Sequence, residues 1–322
     1  MMKSLNKIVR EIKKRDDYLL VGHAIPDGDC IGSLIGLYLG LLAMGKNVQI
    51  LLQDAVPAIY RYLGGSDAVL RPEQIKETIR NVIFLDCSDE ERTGERMVNI
   101  LEERVFTINI DHHQSNTIFG NLNWVDNKSS STAELVFELL QHLEVEITPD
   151  IANALYVGII QDTGGFMHDS TSSATLRTGA ELLDRGVNLD LIKLNLFESK
   201  SRTEVMLLSV ALEHINFNAS GKIAWMILNY EDVKAIAALD ICPEGIINYT
   251  LMIKGVEVGL LFREISPGLI KIGFRSKGDV DVSALASVFG GGGHRRAAGA
   301  KQEGSMEEAE RQVIFAVEDV VV

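Results

Sequence analysis

The stretch Val105-Phe106-Thr107-Ile108-Asn109-Ile110-Asp111-His112-His113 decides the fold. Its apolar, β-branched run stops abruptly at one carboxylate and two imidazoles, which reads as a buried strand that ends at a site. Two other runs end the same way. Tyr18 to Gly22 leads into His23-Ala24-Ile25-Pro26-Asp27-Gly28-Asp29, and Asn81 to Leu85 leads into Asp86. An isolated Asp is an ordinary cap or turn residue. Repetition at three strand ends points instead to one shared rim, because ligands of open α/β sheets bind outside the carboxyl ends of the strands.

Outward from these strands, helical and strand-like patterns alternate. Gly28 to Gly45 reads as a buried helix, Val48 to Leu52 as a strand, and Pro57 to Leu63 and Pro72 to Arg80 as short helices. After Asp111-His112-His113, Ser129-Ser130-Ser131-Thr132 caps a helix to about Leu143. Ile151 to Ile160 then delivers Gln161-Asp162-Thr163, and Ser173 to Arg185 forms a further helix. This is the pattern of a parallel sheet with helices on both faces. Residues 188–214 carry helical periodicity and no strand signal, so the expected organisation is an α/β domain over 1–187, a helical connector over 188–214 and a smaller α/β domain over 215–322. In the last, strands at Ile223–Leu228, Val256–Phe262 and Leu269–Phe274 alternate with helices at Glu231–Leu239, Pro243–Met252, Val282–Phe289 and Met306–Val320.

Composition narrows the class. Hydrophobic residues make up 46% and charged residues 24% of 322 residues, with no low-complexity tract, which fits a globular chain of two domains. No apolar run is long enough to span a membrane, and the mixed-charge start lacks the apolar region of a signal peptide, so the expected location is cytoplasmic. Three cysteines, Cys30, Cys87 and Cys242, without metal-ligand spacing fit a reducing compartment, and Cys30 and Cys87, which directly follow Asp29 and Asp86, read as packing residues. A net charge of −14 argues against wrapping a long polyanion, while leaving room for a short anionic substrate held locally.

His23, Asp27, Asp29, Asp86, Asp111, His112, His113 and Asp162 form a set too rich in carboxylates to sit together without a cation. Oxygen and imidazole donors with no thiolate suit two divalent ions of the Mn²⁺ or Mg²⁺ type, with imidazole favouring Mn²⁺. The reaction class that follows is phosphoester hydrolysis.

These motifs, in this order, resemble those of the DHH phosphoesterase superfamily. Gly290-Gly291-Gly292-Gly293-His294-Arg295-Arg296-Ala297-Ala298-Gly299 resembles the signature of its DHHA1 substrate domain. The resemblance covers nearly the whole chain and is greatest to the bifunctional enzymes that degrade nano-RNA and dephosphorylate 3′-phosphoadenosine 5′-phosphate. It implies that His23, Asp27 and Asp86 hold one metal, and that Asp29, Asp86, His112 and Asp162 hold the other, with Asp86 bridging. It implies too that Asp111 orients an imidazole and that His113 faces the phosphate. Cys30 stands where family members often have alanine.

Four successive glycines suit a flexible linker by composition. Their position between an apolar helix and the small-residue run Ala297 to Ala300 reads instead as a tight turn whose amides can approach an anion. The expected substrate contacts are Gly291, Gly292, Gly293, His294, Arg275 and Ser276, with Lys277 as a second basic group near Arg275 and with Arg92 and Ser130 as weaker candidates. Because two divalent ions roughly cancel four Asp ligands, cationic groups must complete phosphate binding, and the expectation is that His294 and Arg275 do so from the second domain in an interdomain cleft. The expected activity is hydrolysis of short oligonucleotides and nucleoside 3′,5′-bisphosphate. Rival readings are a phosphodiesterase for linear dinucleotides (pApA, pGpG) and a nucleotide-binding regulator with a vestigial metal site. An inorganic pyrophosphatase has similar metal motifs but not the Gly-rich His segment. No long duplex nucleic acid and no membrane is expected as a partner, and a homodimer is compatible with the chain.

Overall fold

The computed structural model describes residues 2–75, 81–241, 243 and 245–321. The chain divides into two compact units, Met1–Ser199 and Lys200–Val322, the boundary falling inside the segment 188–214.

The first unit contains α1 (Met2–Lys14), β1 (Tyr18–Val21), α2 (Gly28–Ala43), β2 (Val48–Leu51), β3 (Val69–Leu70), β4 (Asn81–Leu85), α3 (Val98–Leu101), β5 (Phe106–Asp111), β6 (Leu122–Val125), α4 (Thr132–His142), α5 (Pro149–Asp162), α6 (Ser173–Asp184) and α7 (Leu189–Leu196). Its six strands run parallel in the order β3-β2-β1-β4-β5-β6. The chain winds outward from β1 on one side and resumes at β4 on the other. The strand order therefore reverses between β1 and β4, and such a switch point opens a crevice at the carboxyl ends. Alternate strand residues build two cores. Leu20, Ile83 and Ile108 pack with Ile8 of α1, Leu34 of α2, Leu139 of α4 and Leu155 of α5, while Leu19, Val82 and Phe84 pack on the other face with Met97 and Leu101. Continuous apolar strands are what a sheet covered on both faces requires.

One expected helix of this unit is shorter than the sequence suggests, and a second is described only in part. Pro57 to Leu63 contains a single 3-10 turn, Ala58–Tyr60, and the left-handed Gly65 follows soon after. Pro72 to Arg80 begins with a 3-10 turn, Pro72–Gln74, and residues 76–80 lie outside the described residues, as does Cys242.

The second unit contains α8 (Arg202–Glu213), β7 (Ile215–Phe217), β8 (Ile223–Leu228), α9 (Tyr230–Ala235), α10 (Asn248–Leu251), β9 (Val258–Ser266), β10 (Leu269–Ser276), α11 (Val282–Val288), β11 (Gly292–His294), β12 (Ala297–Glu303) and α12 (Met306–Glu318). Six strands form a mixed sheet, β11-β12-β10-β9-β8-β7, in which only β8 and β9 run parallel among the described pairs. Leu260, Phe262, Ile272 and Phe274 pack against Val282 and Leu285 of α11 and Val313 and Val317 of α12. On the opposite face, Met226, Leu228 and Leu261 pack with Leu207, Val233 and Ile247.

Here the sequence reading needs correcting at three places. The helix expected over Glu231–Leu239 stops at Ala235, because Ala237 turns left-handed, and that over Pro243–Met252 is reduced to Asn248–Leu251 beyond a left-handed Gly245. The glycines are not simply a turn. Gly290 and Gly291 close α11, with the Gly291 N–H donating to Ala286 O, whereas Gly292 and Gly293 already belong to β11, which pairs with β12 through a two-residue loop at Arg295-Arg296. A Cβ on Gly291 would lie 2.1 Å from Gly299 O and one on Gly293 2.5 Å from Ala297 O. Both glycines are thus required by backbone packing against β12, whereas a Cβ on Gly290 or Gly292 meets open space and Gly290 is instead left-handed (φ 70°).

Candidate metal centre

Beyond β1, His23 is buried and its Nδ1 lies 2.8 Å from Ala24 O. A carbonyl oxygen only accepts, so Nδ1 carries a proton and Nε2 is the nitrogen turned toward the carboxylates, where a cation would take the place of its proton. That Nε2 lies 3.7 Å from Asp27 Oδ1 and 3.4 Å from Asp86 Oδ2. Asp27 also caps α2, its side chain accepting from the N–H groups of Asp29 and Cys30. These three side chains form one group whose donor atoms all lie within 4.8 Å of one another.

Asp29, in the first turn of α2, and Asp162, the last residue of α5, meet because those helices touch backbone to backbone. A Cβ on Gly32 would stand 2.3 Å from Ala154 O and 2.9 Å from Gly158 N. His112 completes the second group, with Nε2 3.2 Å from Asp162 Oδ2, 3.6 Å from Asp86 Oδ1 and 3.9 Å from Asp29 Oδ2. Asp86 therefore presents one carboxylate oxygen to each group. Its backbone is left-handed (φ 59°) although it is not glycine, a turn that Asp tolerates better than most residues and that aims its buried side chain across the switch point.

A third grouping, Asp86 with His112 and His113, is also compact, but His113 Nδ1 is committed to Asp111 Oδ1 at 2.7 Å. Asp111 is fully buried and accepts a further hydrogen bond from Asn116 Nδ2 at 2.6 Å. His113 is thus held through Nδ1 by Asp111, which is held by Asn116.

The electrostatics show what a cation could relieve here. Burial, reinforced by Asp86, Asp162 and Asp27, drives the Asp29 carboxyl well above its usual range. Burial likewise pushes Asp162 up to about 6 against the pull of His112. Burial opposes a charge on His23, but hydrogen bonds to Asp27 and Asp86 outweigh it and push His23 up to about 10. The hydrogen bond to Asp111 raises the pKa of His113 against burial. For Asp111 burial is outweighed by His113 and Asn116, which hold its carboxyl below the usual value. Crowded carboxylates that cannot all ionise alone could share a cation, and oxygen with imidazole donors fits a hard or borderline divalent ion. Cys30 and Cys87 behind the rim are buried free thiols whose pKa values burial raises, so they are packing groups rather than ligands.

Among the other expected contacts, Arg92 sits in a 3-10 turn, its carbonyl accepts from Ala24 N–H at 2.7 Å, and its charge acts against protonation of His113. Ser130 is buried and its hydroxyl donates to Glu134 Oε2 at 2.7 Å, so it serves the start of α4. Ser276 is buried, donating to Val280 O at 2.8 Å. Arg275 lines a groove of about 800 Å³ on the open face of the second sheet, together with Arg263, Lys271 and Lys301 over Gly273 and Gly299. The sequence reading missed Asn116 and Thr132. An Asn three residues past His113 is a weak local signal; Thr132 had none beyond its helix-cap neighbourhood.

Residues 17–159 match the DHH family, N-terminal domain, and residues 205–322 match the DHHA1 domain. The chain belongs to the DHH/DHHA1 phosphoesterase family. It is 33% identical to the bifunctional oligoribonuclease and PAP phosphatase NrnA of Thermus thermophilus over 97% of this chain and 93% of that one. It is 27% identical to the protein of the same name from Bacillus subtilis, covering 95% of each chain. A crystal structure of an exopolyphosphatase-related protein from Bacteroides fragilis superposes with a TM-score of 0.92 at 28% identity, covering 99% of this chain and 96% of that one. In this DHH/DHHA1 chain the DHH match contains every rim residue except Asp162, which follows it by three positions. No helix among the described residues is long and apolar enough to cross a membrane.

Proposed function

We propose that this chain is a two-metal phosphoesterase that hydrolyses short oligoribonucleotides to mononucleotides and removes the 3′-phosphate of 3′-phosphoadenosine 5′-phosphate. The observation that carries this reading is the pair of His/Asp groups sharing Asp86, with His113 beside them and its Nε2 free. The names of the relatives supply the substrate class. His23, Asp27 and Asp86 would hold one divalent ion and Asp29, Asp86, His112 and Asp162 the other, Mn²⁺ suiting the imidazole content. Bound there, such ions supply Lewis-acid stabilisation of a phosphoryl group and lower the pKa of water.

The protein's own groups do the rest. The Ala24 O contact fixes the orientation of the His23 ring, so a cation would have only to displace the Nε2 proton without turning the ring. His113, whose pKa the hydrogen bond to Asp111 raises, would offer Nε2–H to a phosphoryl oxygen as a charge-assisted donor when protonated. In the second unit, Arg275 with Lys271 and Lys301 provides cations for nucleotide phosphates over a glycine floor, and the family resemblance adds His294. The same reading places the enzyme in the cytoplasm, where Cys30 and Cys87 stay reduced.

A substrate panel tests it: a dinucleotide, a pentamer, a long single strand, 3′-phosphoadenosine 5′-phosphate and pyrophosphate, each with Mn²⁺ and with Mg²⁺. The short oligomers and the bisphosphate should be turned over with Mn²⁺. Turnover of pyrophosphate alone, or of linear dinucleotides alone, would replace this assignment.

A further inference from the structure

We infer that Thr132, at the first position of α4, is a positioning residue for the metal centre, acting through the two carboxylates that come from different strand ends. Its hydroxyl donates to Asp86 Oδ1 at 3.0 Å, and its backbone N–H donates to Asp29 Oδ2 at 2.6 Å. The next N–H, of Ala133, donates to Asp29 Oδ1 at 2.8 Å, and Ser33 Oγ adds a longer bond at 3.3 Å. Thr132, Asp29 and Asp86 are all buried, so these bonds are not in exchange with bulk water.

The arrangement uses a general property of helix ends. The first N–H groups of α4 have no partner within the helix, and Ser131 satisfies only the one on Glu134. The amides of Thr132 and Ala133 are given to Asp29 instead, which fixes both of its oxygens and leaves few directions for a cation. The hydroxyl then sets the plane of the Asp86 carboxylate. With Oδ1 tied to Thr132 and facing His112, Oδ2 is left toward His23. A bridging carboxylate has to serve two groups at once, so rotation of its plane harms both. Thr132 thereby hydrogen-bonds to Asp29 and Asp86 at once.

This inference rests on the metal-centre reading above, and the test separates the two. The metal-free full chain is titrated calorimetrically with Mn²⁺ for the wild type, Thr132→Val and Thr132→Ser, with the thermal midpoint of each metal-free protein measured in parallel. Thr132→Val keeps shape and backbone N–H but loses the hydroxyl; it should bind Mn²⁺ about 10- to 100-fold more weakly, the usual effect of removing such a partner. Thr132→Ser should restore the affinity. Should Thr132→Val fail to fold, Thr132→Ala is the second hydroxyl-free variant. A hydroxyl-free variant that binds two Mn²⁺ as tightly as the wild type, with only its midpoint lowered, overturns the inference and leaves the metal centre standing. A wild type that binds no Mn²⁺ overturns both.

Discussion

The rim of the parallel sheet in the first unit and the open face of the mixed sheet in the second treat charge in opposite ways. At the rim, Asp29, Asp86 and Asp111 are buried and nearly every donor atom is already oriented by a named partner. On the open face, Lys271 and Lys301 stand exposed on strands whose alternate residues are core, above glycines that keep the surface flat. Burial makes a charge expensive and directional, so the rim is built for one geometry. Exposure makes a charge cheap and screened, so under the proposed function the open face would take a chain of phosphates in several registers.

Asp86→Asn should produce the largest break, since it keeps the shape and the Thr132 acceptor but removes the anion shared by both groups. Hydrolysis of a dinucleotide is expected to fall by at least about 10³-fold, roughly 4 kcal/mol of barrier, in a protein whose circular dichroism is unchanged. Retained Mn²⁺-dependent turnover would remove Asp86 from the centre. Next in size, His113→Ala should lower kcat by about 10²- to 10³-fold, the range for a positioned proton donor, while calorimetry still counts the same metals. A parallel loss of metal would make His113 a ligand instead.

Arg275→Ala probes the other side of the comparison. Loss of a charge-assisted phosphate contact costs about 1.5–3 kcal/mol, so kcat/KM should drop roughly 10- to 100-fold with metal stoichiometry intact. Unchanged kinetics would detach the groove from the reaction. Replacing the exposed Lys271 and Lys301 together by Ala should do less, a few-fold loss on a pentamer with a shallower salt dependence, because the slope counts neutralised phosphates. An equal loss on a dinucleotide and a pentamer would argue against several registers.

Metal removal sharpens the contrast with the smallest shift. In the metal-free protein the Asp162 carboxyl titrates at about 6, above its unfolded value of 3.8, so its contribution to stability is complete below 3.8 and lost as pH rises through 6. Asp27 and Asp111 are shifted down, so their changes fall below pH 3.8 and do not cancel this window. The metal-free thermal midpoint should therefore decline between about pH 4 and 7, by about 2–4 °C for each kcal/mol lost, and Mn²⁺ should abolish the decline above pH 6. A midpoint that rises over that window would contradict the crowding described for the rim.

Which features were legible before folding follows from how far apart the cooperating residues lie. The apolar runs at 18–22, 81–85 and 105–110 already state strands that end in Asp and His, and the order of motifs already states the family, because each signal is local. Helix lengths near Pro57 and Gly245 were misjudged where a left-handed residue or a short 3-10 turn overrode the apolar periodicity. The hairpin hidden in the glycine run was misjudged because glycine has no side chain to show a strand's alternation. Only the tertiary structure decides that one oxygen of Asp86 belongs to each His/Asp group, that His23 turns Nε2 to Asp27 and Asp86 and that Thr132 reaches Asp86 across 46 positions and Asp29 across 103. The physical reason is the strand order. Placing β1 beside β4 brings loops distant in sequence to one crevice, and closing α2 onto α5 through Gly32 and Gly158 sets the last few ångströms, neither of which any stretch of residues records by itself.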